Sequence, residues 1–143
     1  PNIESADRAI ERIRAVKMGT LVPAGREAPL KLAEALQRGQ HVAMLVDQYM
    51  GNGVEVTFFG RKTKANPTLA RLLRQVECPV HGVRIIRLPN HRFRAELSEE
   101  VKPVRDASGQ IDIQGTMQAV TSVVEGWVRE YPDQWLWLHR RWR

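Results

Sequence analysis

The chain has 143 residues, 43% hydrophobic and 27% charged, which fits one globular domain with a real core and argues against disorder. With 22 Lys and Arg against 16 Asp and Glu, its net charge is +6. Such a surface favours anions, whether nucleic acid, phosphorylated ligands or an acidic membrane face. The single cysteine, Cys78, excludes an internal disulfide and suits a reducing compartment. No apolar run approaches the roughly 20 residues that span a bilayer.

Residues 2–17 read as a helix, with Ile3, Ala6, Ile10 and Ile13 at helical spacing and Asn2 as its cap. "TLVP" (20–23) is a short strand. Residues 29–38 read as a second helix, with Pro29 in the first turn and Gly39 just past the end. "HVAMLV" (41–46) is a continuous apolar run, the pattern of a strand covered on both faces as in a parallel sheet. "VEVTFF" (54–59) is a further strand. Asn66-Pro67 caps a third helix, whose core face is Leu69, Leu72, Leu73 and Val76.

Segments 80–88 and 92–98, joined by "PNH", read as a hairpin with Phe93, Ala95 and Leu97 on one face and Arg92, Arg94 and Glu96 on the other. Residues 101–110 form a loop. Residues 114–130 form a last helix with an apolar stripe of Met117, Val120, Val124, Trp127 and Val128. Alternating helices and strands predict an α/β fold, a layered sheet with flanking helices.

Several residues have the chemistry of a site. Asp47 directly follows the apolar strand, and ligand crevices of open α/β sheets lie beyond strand carboxyl ends. It orients a basic group or hydroxyl there, or else it caps a solvated turn. Gln48 stands in the same place. Gly60 permits a tight turn, and Arg61 after it suits a phosphate or carboxylate, or solvent. Arg8 and Arg12 share a helical face, where an anion or plain salt screening relieves their repulsion. His91 and Glu96 have a dyad's spacing, but five residues along a strand they point to opposite faces and do not meet. His41 and Asp47 fail similarly, at opposite ends of one strand. No metal-ligand cluster is evident.

The stretch "YPDQWLWLHRRWR" (131–143) holds three of the four tryptophans and three arginines. Rings and guanidinium groups together suit a lipid headgroup or single-stranded nucleic acid. They equally suit Trp135 and Trp137 packed on a sheet with the arginines solvated.

As a string, "PDQWLWLHRRWR" resembles the C-terminal signature of the lipid A biosynthesis lauroyl/myristoyl acyltransferases, within the lysophospholipid acyltransferase superfamily. "ERIRAVKMGTLVP" (11–23), "LQRGQHVAMLVDQ" (36–48), "GVEVTFFGR" (53–61) and "LARLLRQVECPVHGVRIIRL" (69–88) follow that family's order and spacing. The resemblance covers nearly the whole chain. It implies that residues 1–143 are the C-terminal part of a single acyltransferase domain with a lysophospholipid acyltransferase-like fold.

The implied reaction passes a fatty acyl group from an acyl carrier protein thioester to a hydroxyl of a Kdo-bearing, phosphorylated lipid A precursor. The implied place is the cytoplasmic face of the bacterial inner membrane, and no cofactor is implied. The family's membrane anchor and its His-x4-acid dyad are expected ahead of Pro1, leaving this chain without a catalytic residue and inactive alone. Substrate-binding roles fall on Arg12, Asp47, Gln48, Gly60, Arg61, His139, Arg140 and Arg141. One departure is "KANPT" (64–68), where family members often carry a threonine-rich turn. Two other readings compete: a noncatalytic anionic-lipid binding module, and a nucleic-acid binding domain. The second lacks an RNP or helix-turn-helix motif, so no nucleic-acid partner is expected.

Overall fold

The computed structural model describes residues 19–142. The expected helix over 2–17, and Arg12 with it, lie outside the described residues. Within them the fold is mixed α/β, in chain order α1 (Ala28–Gln37), β1 (Tyr49–Phe58), β2 (Arg61–Ala65), α2 (Thr68–Gln75), β3 (His81–Leu88), β4 (Arg92–Glu100) and α3 (Ile113–Glu130). A 3-10 turn, Pro132–Gln134, follows. The strands form two separate antiparallel pairs, β1–β2 and β3–β4, in place of the expected single layered sheet.

Local chemistry sets the ends of the elements. α1 ends in a Schellman motif, with Gly39 at φ 71° and bonds from Gly39 N to Leu36 O and from Gln40 N to Ala35 O. At α2, the Asn66 carboxamide accepts from the Thr68 amide at 3.0 Å and from its hydroxyl at 2.7 Å. Asp112 caps α3 by accepting from Gln114 N at 3.0 Å. Phe59 and Gly60 both have positive φ, 51° and 71°, as a two-residue hairpin turn of the right hand requires. The "PNH" turn joins β3 to β4 as expected, with Leu88 paired to Arg92.

Between Tyr49 and Val54 the β1 register slips, because both residues lie opposite Ala65. Gly53 is where the chain closes back on β2. A Cβ there would lie 2.1 Å from Ala65 O, so a side chain would force the strands apart.

α3 is the centre of the molecule. Four residues of its expected stripe are buried, Met117, Val120, Val124 and Val128, and the fifth, Trp127, is half-buried. Met117 and Val120 pack with Val56, Ala65 and Ala70, while Val124 and Val128 pack with Phe58. Each such side chain contributes about 1.5–3 kcal/mol by leaving water. Two glutamines stand in for missing strands. Gln118 receives Thr57 N at 2.7 Å and donates to Thr57 O at 3.0 Å. Gln134 does the same for Arg87, at 2.8 and 3.3 Å. Each satisfies backbone groups that a sheet edge would otherwise offer to another chain.

Two strand expectations are overturned. "TLVP" (20–23) is irregular, and "HVAMLV" (41–46) is unpaired chain. The second alternates between half-buried and exposed residues, and Leu45 is 77% exposed. Apolar character draws this segment onto the protein, but no described strand lies alongside to bond it. The β3–β4 alternation is as expected, and its apolar side faces outward: Val83, Ile85, Phe93 and Leu97 are exposed.

The inward side of that hairpin carries charge. Arg84 binds Glu96 at 2.6 Å and Glu130 at 2.5 Å, and lies over the rings of Trp127 and Tyr131 at 5.8 and 5.4 Å. Those two carboxylates, Glu130 foremost, raise the Arg84 pKa against the effect of burial. Arg94 also binds Glu96, at 2.7 Å.

Glu125 links α3 to the β1–β2 turn. It accepts from Phe59 N at 2.7 Å and pairs with Arg129 at 2.7 Å. The Phe59 bond, followed by Arg129, holds its carboxyl below the ordinary 4.5, with burial opposing. A depressed folded-state pKa contributes stability above the unfolded value, and that stability is lost as pH falls through the folded one. Glu125→Gln should therefore lose stability less steeply than wild type on acidification below about pH 4.5. Urea midpoints at neutral and acid pH measure this, and parallel pH slopes would refute it.

Candidate functional site

The residues after Gln134 run back along the β1–β2 hairpin. His139 Nε2 accepts from Tyr49 N at 3.4 Å, a long hydrogen bond. The Thr63 hydroxyl donates to the Arg141 carbonyl, and Arg141 Nη1 donates to Lys64 O at 2.8 Å. Trp142 Nε1 donates to Phe58 O at 3.2 Å, and its ring stacks on Phe58 with centroids 5.5 Å apart. Trp135 also packs on Phe58, with centroids 6.0 Å apart. The tail is thus a strap that closes the Phe58 end of the core.

Arg141 is only 2% exposed, and its guanidinium lies 5.4 Å from the Phe58 ring. Burial lowers its pKa, and the negative charge of Asp47 pulls it back up. So buried a guanidinium, bonded to a backbone carbonyl and covered by a ring, is a structural clamp as well as a charge. Trp135 follows the packed reading of the tail, whereas Trp137 departs from it by staying exposed and Arg141 by leaving solvent.

The expected site residues fall into two groups. Asp47, His139 and Arg141 gather near the start of β1, with Gln48 exposed beside Asp47. Gly60 and Arg61 sit at the far end of β2, roughly 13 Å away at the usual rise per strand residue. Arg61 lies over Trp142 at 5.6 Å, and Arg140 is exposed. His91 occupies the β3–β4 turn at φ 55°, while Glu96 turns inward to Arg84 and Arg94. The two do not form a dyad.

Asp47 also lines a groove of about 1080 Å³ between α3, α2, β3 and segment 41–47. Its walls are mainly apolar and include Leu45, Leu72, Ile86, Val124, Trp127 and Trp135, and the half-buried Cys78 lies along it. A mainly apolar trough with a carboxylate among its lining residues suits an amphiphile, a hydrocarbon chain along the apolar walls and a polar head near the charged group. Among the described residues no group of three or more His, Cys, Asp or Glu is placed to hold a metal.

Residues 2–143 match the family model described as bacterial lipid A biosynthesis acyltransferase. The chain belongs to that family. No curated protein matches it. For a lipid A biosynthesis acyltransferase, the apolar groove has a ready chemical meaning, because an acyl group must be held. The family's tail signature is here the strap over β1–β2. Its partners Phe58, Thr63 and Lys64 were not singled out from sequence. The only cue to them was the clustering of Trp and Arg at one end, which said nothing of where that end docks. Among the described residues no helix is long and apolar enough to cross a membrane.

Proposed function

We propose that this chain serves the transfer of a fatty acyl group from an acyl carrier protein thioester to a hydroxyl of a Kdo-bearing lipid A precursor, at the cytoplasmic face of the inner membrane. The family match over residues 2–143 carries this reading, and the apolar groove supports it. The groove takes the acyl chain. Asp47 in its lining orients a polar group of the acceptor, and Arg61 and Arg140 meet its phosphates, with Gln48, His139 and Arg12 completing the binding set. Both partners are anionic, so the +6 charge favours their encounter.

On this reading the chain is the C-terminal part of a lysophospholipid acyltransferase-like domain. The proton-abstracting His-acid dyad comes from sequence ahead of it. The residues here bind and orient. The test is acyl transfer by the full-length enzyme, with acyl carrier protein thioester and the Kdo-bearing acceptor. Asp47→Ala with Arg61→Ala should lower kcat/KM by roughly 10- to 100-fold, the loss of one or two charge-assisted contacts. A double variant as active as wild type removes these residues from the site, and a full-length protein that transfers nothing removes the reaction.

A further inference from the structure

The strap does more than close the core, because part of it points away. Leu136 is 68% exposed, Trp137 51% and Leu138 90%. Three consecutive large apolar side chains held in solvent within a packed strap mark a contact surface. The Trp137 indole N–H is already satisfied, since it donates to Pro132 O at 2.6 Å. Its ring lies 6.2 Å from Phe59, and the Arg129 guanidinium lies 4.6 Å from the same Phe59 ring. Arg61 follows Gly60 in that turn, and Arg140 is exposed two residues after Leu138.

Arg129 therefore lies beside this exposed knob through Phe59, and Arg61 and Arg140 lie close to it along the chain. Facing them are Glu125, already engaged by Phe59 N–H and Arg129, and the exposed Asp133.

We propose that Leu136, Trp137 and Leu138 insert into the interfacial layer of an anionic bilayer, with Arg61, Arg129 and Arg140 on its headgroups. A tryptophan ring between leucines suits the boundary of headgroup and acyl chain, and guanidinium groups suit phosphate. These arginines and the net charge of +6 select an anionic surface over a neutral one or a second copy of this basic chain. This deepens the membrane setting of the proposed function by naming the face that meets the lipid. It also tips the β1–β2 turn toward the bilayer.

The test is flotation of the full 143-residue chain with vesicles of phosphatidylethanolamine and phosphatidylglycerol, against vesicles of phosphatidylcholine. Binding should be confined to the anionic vesicles. It should weaken by about 10-fold for Leu136→Ser or Leu138→Ser and about 100-fold for both together. Circular dichroism and thermal midpoint should stay unchanged, since both side chains are exposed. Phe93→Ser, on the outward face of β3–β4, should bind as wild type.

Three results would overturn the proposal: vesicle binding that survives the double leucine change, binding that depends on Phe93 in its place, or a leucine-dependent self-association without vesicles. Acyl transfer is scored separately. A chain that floats through these leucines, from a full-length enzyme that transfers nothing, keeps the docking and loses the reaction.

Discussion

Phe58→Ala is expected to destabilise the chain by about 3–5 kcal/mol, the usual cost of deleting a buried aromatic ring. Phe58 is fully buried. It meets Phe59 edge-on at 4.8 Å, stacks on Trp142 and touches Trp135. It also packs against Val124 and Val128 of α3. Removing the ring empties a space between two strands, a helix and the strap, none of which can collapse inward without breaking the others' bonds. For a chain of this size that loss corresponds to a thermal midpoint lower by roughly 10–20 °C. Phe58→Leu, which refills most of the space, should recover much of it. A loss below about 1 kcal/mol for the alanine variant would mean that the strap does not seal this part of the core.

Arg141→Met comes next, with an expected loss of about 2–3 kcal/mol. Methionine keeps a long apolar stem against Phe58, but Lys64 O loses its donor and Asp47 its nearby positive charge. An acceptor left without its donor inside a protein carries a desolvation cost that outweighs the net worth of the lost bond. Arg141→Lys should fall between the two, since it restores charge without the planar fork or its stacking on Phe58. Urea unfolding with an unchanged slope, and a lower midpoint for Met than for Lys, is the measured signature. If Arg141 served only to hold a ligand, the unliganded midpoint would not move.

Much of the fold was legible because local chemistry and tertiary structure agree. Gly39 ends α1, "PNH" turns β3 into β4, and the apolar stripe of α3 is buried where its periodicity placed it. β2 was not legible. "RKTKA" looks like a solvated turn, yet Thr63 and Ala65 are buried while Lys62 and Lys64 point out. Its only advance signal was Phe59-Gly60, a hairpin turn followed by period-two alternation.

The segment 41–46 failed for the opposite reason. Its composition states what a strand needs, but bonding depends on a neighbour elsewhere in the chain, which composition cannot name. The outward apolar face of β3–β4 follows the same logic. Arg84 wins the inward side because Glu96, Glu130 and the rings of Trp127 and Tyr131 repay its dehydration.

The candidate site was legible as residue types and not as an arrangement. Asp47, His139 and Arg141 are drawn together, but Gly60 and Arg61 stand apart from them. Composition alone places the Arg141 charge in solvent. Its burial follows from Thr63 and Lys64, which lie 78 and 77 positions earlier. No spacing rule reaches that far.

That separation also bears on how the chain acquires its structure. The bonds of the strap to the β1–β2 hairpin join residues 77 to 90 positions apart, whereas both hairpins close over a few residues. Closing so long a loop sacrifices chain entropy before any contact rewards it, so such contacts form late, after the rate-limiting step. Changes at Trp142 or Arg141 should then act mainly by hastening unfolding, with refolding little altered. The strap sets the lifetime of the native state more than the speed of reaching it.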